Sequence, residues 1–117
     1  KQMLCLNESI TCSQMTDRHE FAPWGLNGGT EGGLGATLVQ KAGGESWETM
    51  CEAYGKASSS RYSNVVIRRG DRVRLVTPGG GGYGDPKARA PEAVAEDVNE
   101  GYVSADTARR YYDYQGA

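Results

Sequence analysis

The sequence has no apolar run near the roughly 20 residues that a membrane span requires. It has no charged start followed by an apolar stretch, so no signal peptide is predicted. Its formal net charge is only -2, which removes the electrostatic case for nucleic acid or an anionic membrane as a partner. It contains one histidine, His19, so any metal site built here would need carboxylates where other sites use imidazoles. The three cysteines, Cys5, Cys12 and Cys51, are odd in number and lack the spacing of a zinc site or a redox pair. Reduced, partly buried thiols in a cytoplasmic protein are the plain expectation. No G-x-x-x-x-G-K-[ST] phosphate loop occurs, and no Ser/His/Asp or Cys/His set has support from spacing.

Apolar residues are also scarce. They make up 38% of the 117 residues, while glycine supplies 17. Glycine fills loops without filling a core, so the core is expected to be thin. Part of the apolar surface is then expected to be buried against structure outside this chain. Lys1 leads straight into apolar-polar alternation, which reads as a piece beginning inside a folded unit. The length predicts one domain or a domain fragment. The expected layout is a β-rich body over 1–78, a glycine-rich loop and linker over 79–90, and two short helices over 91–112.

What is present supports an α+β chain, mostly antiparallel β. Leu4, Leu6, Ile10 and Cys12 fall on even positions of MLCLNESITCSQM, which predicts a strand or two with a break near Asn7. GATLVQKA, 35–42, is a further short strand. Residues 43–64 are polar and mixed and read as loop. In NVVIRRGDRVRLVTP two β-branched runs flank Gly70-Asp71, which has the chemistry of a hairpin turn. Arg72 and Arg74 alternate with Val73 and Leu75, leaving one face wet. Beyond the glycines the period changes. Pro91 suits a first helical position, Val94 and Val98 lie one turn apart, and Gly101 suits a stop. Ser104 is placed to cap ADTARRYY, where Ala108 and Tyr111 or Tyr112 can share a face.

The stretch PGGGGYGDP, 78–86, contains G-x-G-x-x-G at Gly79, Gly81 and Gly84. A phosphate cradle there would rely on bare N–H groups at a helix start. Asp85 would repel an anion and Pro86 removes a donor, so an ordered turn or close-contact loop is the favoured reading. The run WGLNGGTEGGLG, around Gly28 and Gly29, is either a pair of tight turns or a place of close approach beside the flat surface of Trp24. His19, in DRHEF, is read as structural or exposed in preference to a metal ligand helped by Asp17 and Glu20. Arg69-Gly70-Asp71 spells an adhesion tripeptide but is read as a turn. TARRYYDY could stack on bases, yet its acidic neighbours favour a packing or subunit-contact role.

Two motifs, taken together, carry a family resemblance. One is Asp17-Arg18 followed by Pro23-Trp24-Gly25 and Gly28-Gly29. The other is Gly70-Asp71, then Thr77-Pro78 through Asp85-Pro86, an acidic helix and Gly101. In their order and spacing, over residues 17–35 and 70–110, the chain resembles the C-terminal end of the hydantoinase B/oxoprolinase family. That family includes B-type subunits of ATP-dependent N-methylhydantoinases, 5-oxoprolinases, and the related subunit of acetone and acetophenone carboxylases. Residues 43–64 match little, and Tyr111–Gln115 is only loosely like the family's Asp-Tyr-Gly finish.

The resemblance implies a division of labour. An ATP-using A-type partner activates the substrate, and the B-type subunit completes hydrolysis or carboxylation with a metal. ATP with Mg²⁺ and the divalent metal are then expected in the full complex, with no cofactor bound by this chain. Its expected partners are the remainder of the B-type subunit and the A-type subunit, in a hetero-oligomer. Arg18, His19, Trp24, Gly28, Gly29, Gly81, Gly82 and Asp85 are the candidates for contact with substrate or subunit. The expected role is bracing an active site in a cyclic-amide hydrolase. The alternatives are the same position in a ketone carboxylase and a non-catalytic interaction module.

Overall fold

The computed structural model describes residues 1–116. They form two compact units, Lys1–Pro23 with Gly33–Gly79, and Trp24–Gly32 with Gly80 onward. The architecture is α+β with antiparallel sheets and short helices. Among the described residues no helix is long and apolar enough to cross a membrane.

The first unit holds the strands β1 (Gln2–Leu4), β2 (Ser9–Met15), β3 (Ala36–Gln40), β4 (Glu48–Thr49), β5 (Arg61–Arg68) and β6 (Arg72–Val76), with helix α1 (Met50–Tyr54) after β4. Four strands join in the order β1-β6-β3-β4, and β2 pairs with β5 in a separate ladder. The break expected near Asn7 therefore separates two strands that enter different sheets.

Gly70-Asp71 likewise turns the chain without making the expected hairpin. β5 pairs with β2, while β6 pairs with β1 and β3. The reason lies in competing bonds at the corner. Gly70 N–H donates to the Cys5 carbonyl at 2.9 Å, Cys5 N–H to the Asp71 carbonyl at 2.9 Å, and Arg69 N–H to the Glu8 carbonyl at 3.1 Å. Asp71 N–H still closes the turn on the Arg68 carbonyl at 3.0 Å, but the Asp71 carbonyl that would return a bond across β5 and β6 is taken by Cys5. The Asp71 carboxylate, on a residue 4% exposed, accepts from Ala42 N–H at 2.9 Å and Arg68 N–H at 3.0 Å. One side chain therefore ties the corner to the segment after β3.

The core gathers Cys5, Val39, Met50, Tyr62, Val65, Ile67 and Val73. In β3, Thr37 and Val39 point inward and their neighbours are half-buried, as period two requires. In β5 the buried positions are Tyr62, Val65 and Ile67, so the alternation slips by one residue. A bulge causes the slip. Cys12 pairs with Val65 and Gln14 with Tyr62, which sets three steps on β5 against two on β2. Asn64 absorbs the extra residue at φ 55°, a conformation asparagine tolerates.

The stretch 43–64, read as loop from its polarity, instead contains β4, α1 and the start of β5. A capping box starts α1. Thr49 accepts from Glu52 N–H, the Glu52 carboxylate takes Thr49 N–H at 2.7 Å, and Gly55 closes the helix at φ 61°. The helix seals the core by burying Met50 completely. Thr49→Ala should destabilise the chain by about 1 kcal/mol in urea denaturation. The backbone bond from Thr49, then its hydroxyl, lowers the Glu52 pKa from 4.5. That contribution is fully present above 4.5 and is lost as pH falls through the lowered folded value.

The second unit holds a 3₁₀ turn (Pro86–Ala88), α2 (Pro91–Asn99) and α3 (Ala105–Tyr112). Pro91 stands at the start of α2, and Gly101 follows its end at φ 77°. Ser104 accepts from Thr107 N–H, capping α3 as its sequence predicts. Val94 and Ala108 are buried, and Tyr112 is half-buried on the last turn of α3.

The thin core leaves large apolar side chains outside. Met15, Phe21, Trp24, Tyr83 and Tyr102 are each at least 67% exposed. The expectation of incomplete self-burial is met.

Candidate functional site: a glycine clasp and a polar relay

Six of the eight candidate residues lie in the second unit, where the two glycine-rich runs face each other. Leu26 and Tyr83 form a parallel bridge. Leu26 N–H donates to the Gly82 carbonyl at 2.8 Å, Gly82 N–H to the Thr30 carbonyl at 2.9 Å, and Gly84 N–H to the Leu26 carbonyl at 2.9 Å. The glycines of 79–84 are therefore ordered where they cross the facing run. Bare Cα atoms make the approach possible. A Cβ on Gly81 would strike the Trp24 carbonyl, and one on Gly29 would strike the Gly82 carbonyl. Gly82 is less constrained, since its Cβ would meet Thr30 N at 3.3 Å. Gly28, at φ 88°, needs the left-handed region open only to glycine at low cost.

These bonds also decide between the phosphate-cradle and close-contact readings. The amides of Gly82 and Gly84 point at carbonyls of the facing run, which leaves them unable to ring an anion. Asp85 caps the Pro86–Ala88 turn, its carboxylate accepting from Lys87 N–H at 2.9 Å. Beside the clasp lies a cleft of about 430 Å³ whose wall includes Thr30, Tyr83, Arg89 and Tyr112. Trp24, Leu26 and Tyr83 carry the clasp's apolar side chains to the outside, at 67%, 57% and 78% exposure.

The other two candidates, Arg18 and His19, lie in the first unit. Arg18 adopts φ 64°, and its carbonyl accepts from Gly35 N–H at 2.8 Å. The bare face of Gly35 makes room for the imidazole, because a Cβ there would sit 3.2 Å from His19 Cδ2. His19 Nε2 lies 3.2 Å from the Thr16 hydroxyl. The Thr16 hydroxyl also reaches the Ser60 carbonyl at 3.2 Å, which ties the imidazole to the residue before β5.

The relay continues inward. Gln14 donates to Thr16 at 3.0 Å and to Thr37 at 2.7 Å, and accepts from the Tyr62 hydroxyl at 2.8 Å. Cys12 Sγ lies 3.7 Å from that hydroxyl. Burial, then the contact with Cys12, pushes the Tyr62 phenol well above its ordinary pKa of 10 and keeps it protonated. The β5 bulge places Tyr62 on this inward face. Gln14, Thr16, Thr37 and Tyr62 were absent from the sequence candidates. Only Thr37 offered a signal, as a hydroxyl on the buried parity of β3.

The described residues do not fit a metal centre. No group of three or more His, Cys, Asp or Glu side chains among them could hold an ion.

Comparison with known proteins interprets these features. Residues 1–86, from β1 through the clasp to Pro86, match the hydantoinase B/oxoprolinase family. The chain belongs to that family. The match takes in 43–64, the stretch expected to match little, and ends before α2. The B-type subunit of a putative D-/L-hydantoinase from a Pseudomonas strain is 33% identical over 79% of this chain and 14% of its own length. An uncharacterized protein of Methanocaldococcus jannaschii is 35% identical over 86% of this chain and 16% of its own. The beta subunit of a Pseudomonas jessenii caprolactamase is 56% identical over 48 residues, 41% of this chain and 8% of its own. The chain therefore spans a small part of the curated relatives it matches. No solved structure matches it.

Proposed function

We propose that this chain is the C-terminal segment of a B-type subunit in an ATP-dependent cyclic-amide hydrolase, where it braces the assembly and does not catalyse alone. Family membership and relatives named as subunits of a hydantoinase and a caprolactamase support the reaction class. The observation that carries the bracing role is the clasp. Main chain is locked against main chain without room for a Cβ, and it holds Trp24, Leu26 and Tyr83 outward. Rigid aromatic side chains of this kind suit a buried contact, because little conformational freedom is lost on docking.

In this reading the clasp lies against the remainder of the B-type subunit, in a cytoplasmic hetero-oligomer that also contains an ATP-using A-type subunit. Arg18 and His19 shape the first unit's surface for the same assembly. ATP, Mg²⁺ and the divalent metal work elsewhere in the complex.

The test uses the assembled enzyme, assayed for ATP-dependent opening of hydantoin, 5-oxoproline and caprolactam, and in parallel for ATP-dependent bicarbonate fixation onto acetone. Ring opening is the expected activity. Trp24→Ala and Tyr83→Ala should each lower the thermal stability of the B-type subunit and the turnover of the assembled enzyme together. Bicarbonate fixation without ring opening would replace the hydrolase reading with the ketone carboxylase. Unchanged stability and turnover in both variants would remove the bracing role.

A further inference from the structure

β2 is an edge strand without an edge strand's protection. Natural edges resist pairing with other segments by being short, or by carrying charge, proline or a bulge. β1 spans three residues and β4 two. β5 has an arginine at each end and bulges at Asn64. β2 runs seven residues, SITCSQM, with no charge and no proline. Its ladder contains only β5, and a two-stranded ladder is marginal by itself.

The main chain of β2 has a free side. At the two ends of the ladder Arg69 N–H donates to the Glu8 carbonyl at 3.1 Å and Thr16 N–H to the Ser60 carbonyl at 2.9 Å. Bonded and non-bonded residues alternate along an antiparallel strand. The bulge adds its residue to β5, so on β2 the bonded set keeps to even positions. The N–H and C=O groups of Ser9, Thr11, Ser13 and Met15 therefore point away from β5, and they have no main-chain partner among the described residues.

The layer beside that free side is also incomplete. Residues directly opposite in a ladder share a face. Met3 stands opposite Val73 and Ile10 opposite Ile67, and both partners belong to the core. Met3 and Ile10 thus lie on the inward faces, yet each is 43% exposed. Four strands in one sheet stand against two in the other. Met3 lines one cavity with Cys12 and Ser13 of β2, and no residue of β5 takes part. The uncovered end of the wider sheet therefore lies on the free side of β2, where one more strand would widen the narrower sheet by about 4.8 Å.

We propose that the free side of β2 takes up an extended strand from the remainder of the B-type subunit. This rests on the reading that the chain is part of such a subunit, and it concerns a surface other than the glycine clasp. The relatives have the length to supply the strand, since the chain covers only 14% and 16% of two of them. The added strand bonds through its main chain to Ser9, Thr11, Ser13 and Met15. Its side chains are apolar where they lie beside Ile10 and towards Met3, and polar at the alternate positions beside Ser9, Thr11 and Ser13.

Hydrogen exchange at single-amide resolution on the full-length B-type subunit tests the contact. The amides of Ser9, Thr11 and Ser13 should exchange about a hundredfold more slowly than those of an open strand edge. Thr11→Pro is the diagnostic variant, because proline is tolerated where the missing N–H would face solvent. With the strand in place it should speed exchange at Ser9 and Ser13 about tenfold, while Thr11→Val, which keeps the N–H, should stay within about threefold. The unmodified subunit decides alone if the proline variant folds poorly. It is measured as a dilute monomer, at higher concentration, and with the A-type subunit added. Protection already present in the lone monomer supports the proposal. Rapid exchange at Ser9, Thr11 and Ser13 would overturn it, as would protection that appears only with a second copy or with the A-type subunit. Turnover enters none of these readouts, so a failed ring-opening assay or unaffected clasp variants would count against the proposed function and leave the strand contact standing.

Discussion

Gly81→Ala is expected to destabilise the second unit by about 3 kcal/mol, while Gly80→Ala, one residue away, should change it by less than about 0.5 kcal/mol. The two glycines are neighbours in sequence and opposites in surroundings. A Cβ on Gly81 would overlap the Trp24 carbonyl, and one on Gly80 would meet nothing within 4 Å. Backbone cannot swing aside as a flexible side chain can, so the clasp must open to admit the methyl. The local readout is hydrogen exchange at the amides of Leu26, Gly82 and Gly84, whose acceptors lie across the clasp. All three should lose protection in Gly81→Ala and keep it in Gly80→Ala. If the bracing role also holds, turnover of the assembled enzyme should fall at least tenfold in the first variant alone. Equal behaviour of the two variants would show that the glycines serve flexibility and not close approach.

Asp71→Ala is the second large effect, at about 2–4 kcal/mol in urea denaturation. The carboxylate takes two main-chain N–H groups, from Arg68 and Ala42. Removing it orphans both donors at a buried corner, and each costs about 1–3 kcal/mol when left unmade. Asp71→Asn retains one oxygen but turns an amide N–H₂ towards the other donor, so its stability should fall between those of wild type and alanine. Exchange should speed up at the Arg68 and Ala42 amides first. A cost below about 0.5 kcal/mol for Asp71→Ala would mean that the 5–8 connection holds the corner unaided.

The elements legible in the sequence were those with local causes. Pro91, Gly101 and Ser104 marked the helices because caps act within one turn. β3 was legible as the short run GATLVQKA, within which the strand spans Ala36–Gln40. The capping box at Thr49 and Glu52 was equally local, but polarity concealed it. Of β5 only the half from Val65 to Ile67 was legible, and its start was lost for a different reason. Its bulge at Asn64 breaks the alternation, and a period-two search stops where Tyr62 and Val65 point the same way.

Sequence alone determined that the chain is α+β, that its core is thin, where the glycines concentrate, and which family motifs it carries. These follow from composition and from bonds made over a few residues. Tertiary structure alone decided that β5 and β6 part into different ladders, that Gly81 faces Trp24, and that Gln14 joins Thr16, and through it His19, to Thr37 and Tyr62. Each depends on which distant main-chain or side-chain group reaches a donor first, and that competition is settled only when the whole unit closes.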